Sequence, residues 1–130
     1  MVGIVIVSHS QKIADGIVEL CRQMADKNLK IISAGGTSDG RIGTDAMKIM
    51  SAIKEANEES GVLVMVDLGS ALISTETAID FLDDSLKQRV LIADAPIVEG
   101  SVVASIESSM GSKLAKVKKT AEEARNLHKK

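Results

Sequence analysis

The stretch Val2-Gly3-Ile4-Val5-Ile6-Val7-Ser8-His9-Ser10 opens the chain, and its first six residues decide the fold. They are β-branched except for Gly3 and carry no polar interruption. A strand with one wet face alternates apolar and polar residues, whereas a strand covered on both faces by helices does not. Val2 to Val7 therefore predicts a doubly buried strand. The segment from Gln11 to Ala25 changes period: Ile13, Ile17, Leu20 and Met24 recur at spacings of four, three and four. That spacing predicts a helix with those side chains and Cys21 packed inward.

The same alternation continues outward along the chain. Leu29 to Ser33 predicts a second strand, and the glycine-rich run Ala34 to Gly43 predicts a loop. Thr44 is expected to cap a second helix with Ala46, Met50 and Ile53 inward, and Gly61 to close the connection that follows. Val62 to Val66 predicts another doubly buried strand, and Leu72, Ile79 and Leu82 a third helix after Asp67-Leu68-Gly69-Ser70. Arg89 to Ala93 predicts a fourth strand, Asp94-Ala95-Pro96 ends it, and Val102, Ile106 and Met110 mark a helix beginning near Ile97. A last helix, Lys113 to Lys130, carries a narrow seam of Leu114, Val117, Ala121 and Ala124, to be covered either by the domain itself or by a second copy of the chain.

Strand and helix alternate four times. Right-handed crossovers then give an α/β fold: an open parallel four-stranded sheet of order 2-1-3-4 with helices on both faces. Residues 1–130 are expected to form a single domain, which suits this length. In such a sheet the crevice opens where the order reverses, at the carboxyl ends of the first and third strands.

Composition excludes several functions. A net charge of −2 gives no positive field to gather nucleic acid or anionic lipid. One aromatic residue, Phe81, leaves no platform for stacking bases. Cys21 stands alone, the start of the chain has no signal-peptide pattern, and no apolar run approaches the ~20 residues of a membrane span. A cytoplasmic protein, binding neither nucleic acid nor membrane, is the expectation.

Three segments bring chemistry to the expected crevice: Ser8-His9-Ser10, Asp67, and Gly69-Ser70. A neutral imidazole offers one lone-pair nitrogen, which makes His9 a candidate nucleophile toward phosphorus. Asp67 can accept from the other ring nitrogen, fixing the tautomer and steadying the charge that grows on the ring. The amides of Gly69 and Ser70, at a helix start, can hold phosphoryl oxygens. No metal is required, because phosphoryl transfer is mostly positioning and electrostatics. The same residues also suit plain helix caps. His128, in the charged chain end, and the lysines from Lys113 to Lys119 are expected to be merely solvated.

The run Gly35 to Gly40 followed by Arg41 begins like a phosphate-binding loop, but Gly40-Arg41-Ile42 lacks the Gly-Lys-Ser/Thr ending. No G-x-G-x-x-G follows the first strand either, so neither nucleotide motif is present. Its place after the second strand puts the loop on the rim of the crevice. There Ser8, Ser10, Gly36, Thr37, Asp39 and Arg41 are expected to grip a partner protein or its phosphate.

Four stretches, Gly3 to Ser10, Ala34 to Thr37, Asp39 to Thr44 and Asp67 to Ala71, carry a resemblance over nearly the whole chain. It resembles the phosphotransfer (DhaM) subunits of phosphoenolpyruvate-dependent dihydroxyacetone kinases. Their domain is similar to the EIIA component of mannose-family sugar phosphotransferase systems, with a flavodoxin-like sheet. The resemblance implies that His9 is phosphorylated on its tele nitrogen, with Asp67 as the supporting carboxylate. It implies phospho-HPr as donor and, as acceptor, ADP held by the partner subunit DhaL, which serves dihydroxyacetone bound to DhaK. It also implies a homodimer and no cofactor on this chain, ADP and ATP belonging to DhaL. Some family members carry HPr-like and enzyme I-like domains that 130 residues cannot hold, so the donor is expected to be a separate protein. The segment Gly40-Arg41-Ile42-Gly43 favours the dihydroxyacetone branch. The alternatives are a sugar EIIA serving an EIIB, and a non-catalytic module that binds an anion or a partner.

Overall fold

Strands β1 (Gly3–Val7), β2 (Ile31–Ser33), β3 (Val62–Val66) and β4 (Val90–Ala93) run parallel in the order β2-β1-β3-β4. This is the order expected from the sequence. The computed structural model describes residues 1–130. Alternate residues of β1 point to opposite faces, as strand geometry requires. Ile4 and Ile6 join one buried cluster, and Val5 and Val7 the other. The first cluster lies under α1 (Gln11–Arg22), α5 (Ile97–Ser109) and α6 (Leu114–Glu123). The second lies under α2 (Ala46–Ala56), α3 (Gly69–Asp80) and the short α4 (Asp84–Lys87).

The helices meet the sheet through smaller residues than the apolar periodicity suggests. Helix α1 ends at Arg22 and buries Ala14, Ile17 and Cys21, while Ile13, Leu20 and Met24 stay 51%, 42% and 49% exposed. Helix α2 buries Ile49, Ala52, Ile53 and Ala56, and Met50 is only partly covered. Helix α3 buries Ala71, Thr75 and Ala78 and leaves Leu72 outside; Leu82 is buried just beyond its end. Helix α5 buries Gly100, Ser101, Ala104, Ser105 and Ser108 instead of Ile106 and Met110. The reason is volume. The strands already supply Val, Ile and Leu from both faces, so a helix axis can approach only with small side chains between. A methyl group at Gly100 would sit 2.9 Å from Met65 Cε.

The caps also differ from expectation. Asp45, not Thr44, caps α2, accepting from Met47 and Lys48 N–H, and Thr44 Oγ1 pairs with Ser74 Oγ at 2.6 Å. Asp83 caps α4, a turn the apolar pattern does not announce, by accepting from Leu86 N–H at 2.9 Å. The seam of the last helix is covered by the chain itself: Val117 and Ala121 are fully buried in the cluster that includes Ala93 and Ala104, and Ala124 is nearly buried. That helix ends at Glu123, followed by a 3-10 turn, rather than running to Lys130. The seam therefore gives no support to self-association.

Candidate active site

The register of the two central strands assembles the site. Val7 pairs with Val66, so the next residues, Ser8-His9 on one strand and Asp67 on the other, emerge side by side at the carboxyl edge. Asp67 accepts four hydrogen bonds. Oδ1 takes His9 Nδ1–H at 2.9 Å and Leu68 N–H at 2.7 Å; Oδ2 takes Ser8 Oγ–H at 2.8 Å and His9 N–H at 3.0 Å. Burial pushes the Asp67 carboxyl upward, but these donors outweigh it and hold the group below the usual carboxylate range. Asp67 is thus an anion at neutral pH.

An ionised carboxylate can only accept, so Nδ1 of His9 carries a proton, and in the neutral ring Nε2 carries the lone pair. Nε2 faces outward with Ser70 Oγ as its partner, and toward the neutral ring the Ser70 hydroxyl is the donor. The His9 side chain is 22% exposed, enough for its edge to meet a visiting group.

Helix α3 begins at this point without a side-chain cap. Asp67 is not that cap, because its lone pairs serve His9, Ser8 and Leu68. The N–H groups of Gly69 and Ser70 donate to no group in the chain, whereas the next amide, of Ala71, donates to Leu68 C=O at 2.9 Å. Free amides at the positive end of a helix dipole, beside a nucleophilic nitrogen, suit phosphoryl oxygens. Nothing lies within 4 Å of where a Gly69 side chain would start, so glycine there leaves open approach from solvent.

The glycine-rich loop is closed and tied to the site. Thr37 N–H donates to Arg41 C=O at 3.0 Å, and Arg41 N–H to Thr37 Oγ1 at 3.0 Å. Gly36 N–H holds Ser8 C=O at 3.0 Å and Gly43 N–H holds His9 C=O at 2.8 Å. Gly36, Gly40 and Gly43 have φ of +71°, +82° and +144°, which side-chain-bearing residues adopt at a cost.

The expected rim residues divide. Thr37, Asp39 and Arg41 lie on the exposed turn, where Arg41 Nε pairs with Asp39 Oδ2 at 2.8 Å and Thr37 Oγ1 also bonds the Asp39 carboxylate. Those two partners hold the Asp39 carboxyl below its usual range. Arg41 also lines a cleft of about 430 Å³ with Ser10, Gln11, Lys12 and Asp15. Ser10 is half-buried and caps α1, accepting from Ile13 N–H at 3.3 Å. Ser8 and Gly36 are not on the rim: both are buried, because the loop folds over them. His128 is exposed at the chain end and takes no part. Sequence reasoning missed the Ser8 hydroxyl and the Leu68 amide as partners of Asp67, and the two loop amides that hold residues 8 and 9. Only the strand register, which places residue 8 beside residue 67, could have signalled the first.

Comparison with known proteins follows the same lines. The model of the EIIA-man family, described as PTS system fructose IIA component, matches residues 3–118. This chain belongs to that family. It is 44% identical over 108 residues to the "PEP-dependent dihydroxyacetone kinase 2, phosphoryl donor subunit DhaM" of Listeria innocua, covering 83% of this chain and 86% of that one. It is 43% identical over 120 residues to the phosphoryl donor subunit DhaM of Escherichia coli, covering 90% of this chain but 25% of that longer protein. The crystal structure of the unknown-function protein EF1359 superposes with a TM-score of 0.83 at 39% identity, covering 100% of this chain and 98% of that one. The family and the DhaM relationship agree with the expectation from the sequence.

Proposed function

We propose that this chain is a phosphohistidine carrier, the phosphoryl donor subunit of a phosphoenolpyruvate-dependent dihydroxyacetone kinase, acting in the cytoplasm as one phosphotransfer domain over residues 1–130. One observation carries the reading. Asp67 holds the proton on Nδ1 of His9, which leaves Nε2, the tele nitrogen, as the nucleophile beside the uncapped amides of α3.

In the loading step the Nε2 lone pair forms a bond to the phosphorus of a phosphohistidine on the donor protein. The donor's own P–N bond breaks, and its ring leaves with the electron pair. The His9 ring gains positive charge as this bond forms, and the Asp67 carboxylate stabilises it without taking the Nδ1 proton. The amides of Gly69 and Ser70 and the Ser70 hydroxyl, freed from Nε2, meet the phosphoryl oxygens. Unloading reverses these roles toward a diphosphate oxygen. The donor is phospho-HPr, and the acceptor is ADP on the DhaL subunit, which serves dihydroxyacetone on DhaK, as the resemblance to DhaM subunits implies. The names of the curated relatives support a phosphoryl donor subunit of a dihydroxyacetone kinase.

Incubation with phosphoenolpyruvate, enzyme I and HPr should place one acid-labile, base-stable phosphate on the chain. Addition of DhaL·ADP should then strip it and form ATP, whereas a sugar-specific EIIB should leave it in place. Transfer to EIIB alone would move the chain to sugar transport. Failure of any donor to load it would favour a non-catalytic binding module.

A homodimer completes the proposal. Outer strand β4 has one unpaired edge, and Leu72, Ile73 and Phe81 of the α3 region are 40%, 65% and 68% exposed. Such apolar exposure suits a partner copy. Sedimentation should give twice the 13.7 kDa chain mass, with Ile73→Asp shifting it toward the monomer. A monomeric wild-type chain at micromolar concentration would exclude the dimer.

A further inference from the structure

We infer that Ser8 is a positioning residue for the phosphoryl acceptor: its buried hydroxyl fixes the rotation of the Asp67 carboxylate, and through it the tautomer and aim of the His9 ring. The inference rests on the phosphohistidine reading for its kinetic part only.

Four donors meet Asp67. Two are main-chain amides, of His9 and Leu68, and a third is the His9 ring itself. Ser8 Oγ is the one remaining side-chain donor, 2.8 Å from Oδ2. The orientation of its hydroxyl is set from the other side, because Oγ accepts Ser10 N–H at 3.1 Å and so presents its hydrogen to the carboxylate. The Ser8 backbone is held in turn by Gly36 N–H on its carbonyl.

A carboxylate that keeps two donors on each oxygen cannot turn about its Cβ–Cγ bond without breaking several of them together. Oδ1 therefore stays aimed at Nδ1. The Ser8 side chain has no solvent exposure, where an unpaired hydroxyl is unfavourable and a small apolar group would pack as well. Serine at this position is explained by the carboxylate and not by packing. This also separates Ser8 from Ser70, which meets the ring at its reacting nitrogen.

Removing the hydroxyl leaves Oδ2 with the His9 amide alone and Ser10 N–H without its acceptor. The carboxylate loses a stabilising donor, so its titration midpoint should rise, and the ring should divide between its two neutral tautomers. Phosphoryl acceptance should fall about tenfold, the effect of one net hydrogen bond to a charged group.

The test uses Ser8→Ala, Ser8→Cys and Ser8→Thr in the full chain. Carbon-13 titration of the Asp67 carboxyl and nitrogen-15 shifts of the His9 ring need no phosphoryl donor, so they judge the inference even if the carrier reading fails. Expected for Ser8→Ala are an upward shift of the Asp67 midpoint, a growing fraction of the tautomer protonated on Nε2, and the tenfold slower loading. Ser8→Thr, which keeps the hydroxyl, should restore all three, and Ser8→Cys, a weaker donor of similar size, should lie between. In a background lacking the carboxylate, Asp67→Asn, the Ser8→Ala change should cost little further rate. Slower loading with the Asp67 midpoint and ring tautomer unmoved, or full additivity with Asp67→Asn, would overturn the inference. If Ser8→Ala does not fold, Ser8→Cys decides by the same readouts.

Discussion

Replacing His9 with alanine should abolish phosphate incorporation from phosphoenolpyruvate, enzyme I and HPr, with loss beyond ~10⁴-fold, because the only nucleophile at the site is gone. The fold should survive. The His9 side chain is partly exposed, and its main-chain bonds to Asp67 and Gly43 do not depend on the ring. The thermal midpoint should therefore stay within a few degrees of wild type, which makes the loss a chemical one. His128 remains in the variant and is well exposed at the chain end, so it serves as an internal control. Phosphate on His128, or label retained by His9→Ala in any form, would end the carrier reading. A companion variant, Ser70→Ala, removes the partner of Nε2 but keeps the amides of α3. It should load more slowly than wild type by about tenfold, not lose loading altogether.

How far the sequence could be read depended on which physical signal each element sends. The strands were legible because Val2 to Val7 and Val62 to Val66 sit between two helix layers, and such strands have no polar face to confuse the pattern. Sheet order followed from handedness and alternation. The helix faces were less legible. Periodicity weights large apolar residues, yet in α1, α3 and α5 the residues against the sheet, Ile17 apart, are Ala, Cys, Ser, Thr and Gly, chosen for closeness of approach. Ile13, Leu20 and Met110 have the right spacing and the wrong side. A lone helix cannot tell these stripes apart; the strand volumes opposite decide between them.

The site shows the same division. His9, Asp67 and Ser70 stand at strand ends and a helix start, places that a sheet order converts directly into neighbours, and they do come together. Position in the chain alone puts Ser8 and Gly36 on the rim. Both are covered by the loop that folds back on them, a long-range effect of the amides of Gly36 and Gly43. A main-chain hydrogen bond has no residue-type signature, which is why no motif announced this one. The seam on α6 failed differently. It was real, but it could not say whether its cover came from this chain or another, and it came from this one.

Asp67→Asn should separate charge from shape at the site. The amide keeps the size and can still accept from Nδ1, but it cannot accept at both ends. One end becomes an NH₂ group facing either Ser8 Oγ and His9 N–H or Nδ1 and Leu68 N–H, all of which donate in the wild type. One arrangement or the other must place donors against donors. Loss of the anion removes the partner of the positive charge that develops on the ring, so loading should fall by about 10²–10⁴-fold, the scale on which orienting carboxylates act. Stability should move with pH in a way that identifies the group. Because the folded-state carboxyl titrates below its usual range, its contribution is fully present above the ordinary carboxylate pKa and is lost as pH falls through the lowered value. The wild-type chain should thus be more stable than Asp67→Asn at pH 7, and the difference should shrink as the medium is acidified below the ordinary carboxylate range. Thermal unfolding of both proteins across that range checks it. A gap that stays constant with pH would mean that the carboxylate contributes shape alone, and the slower loading would then belong to misplacement of the ring and not to its missing charge.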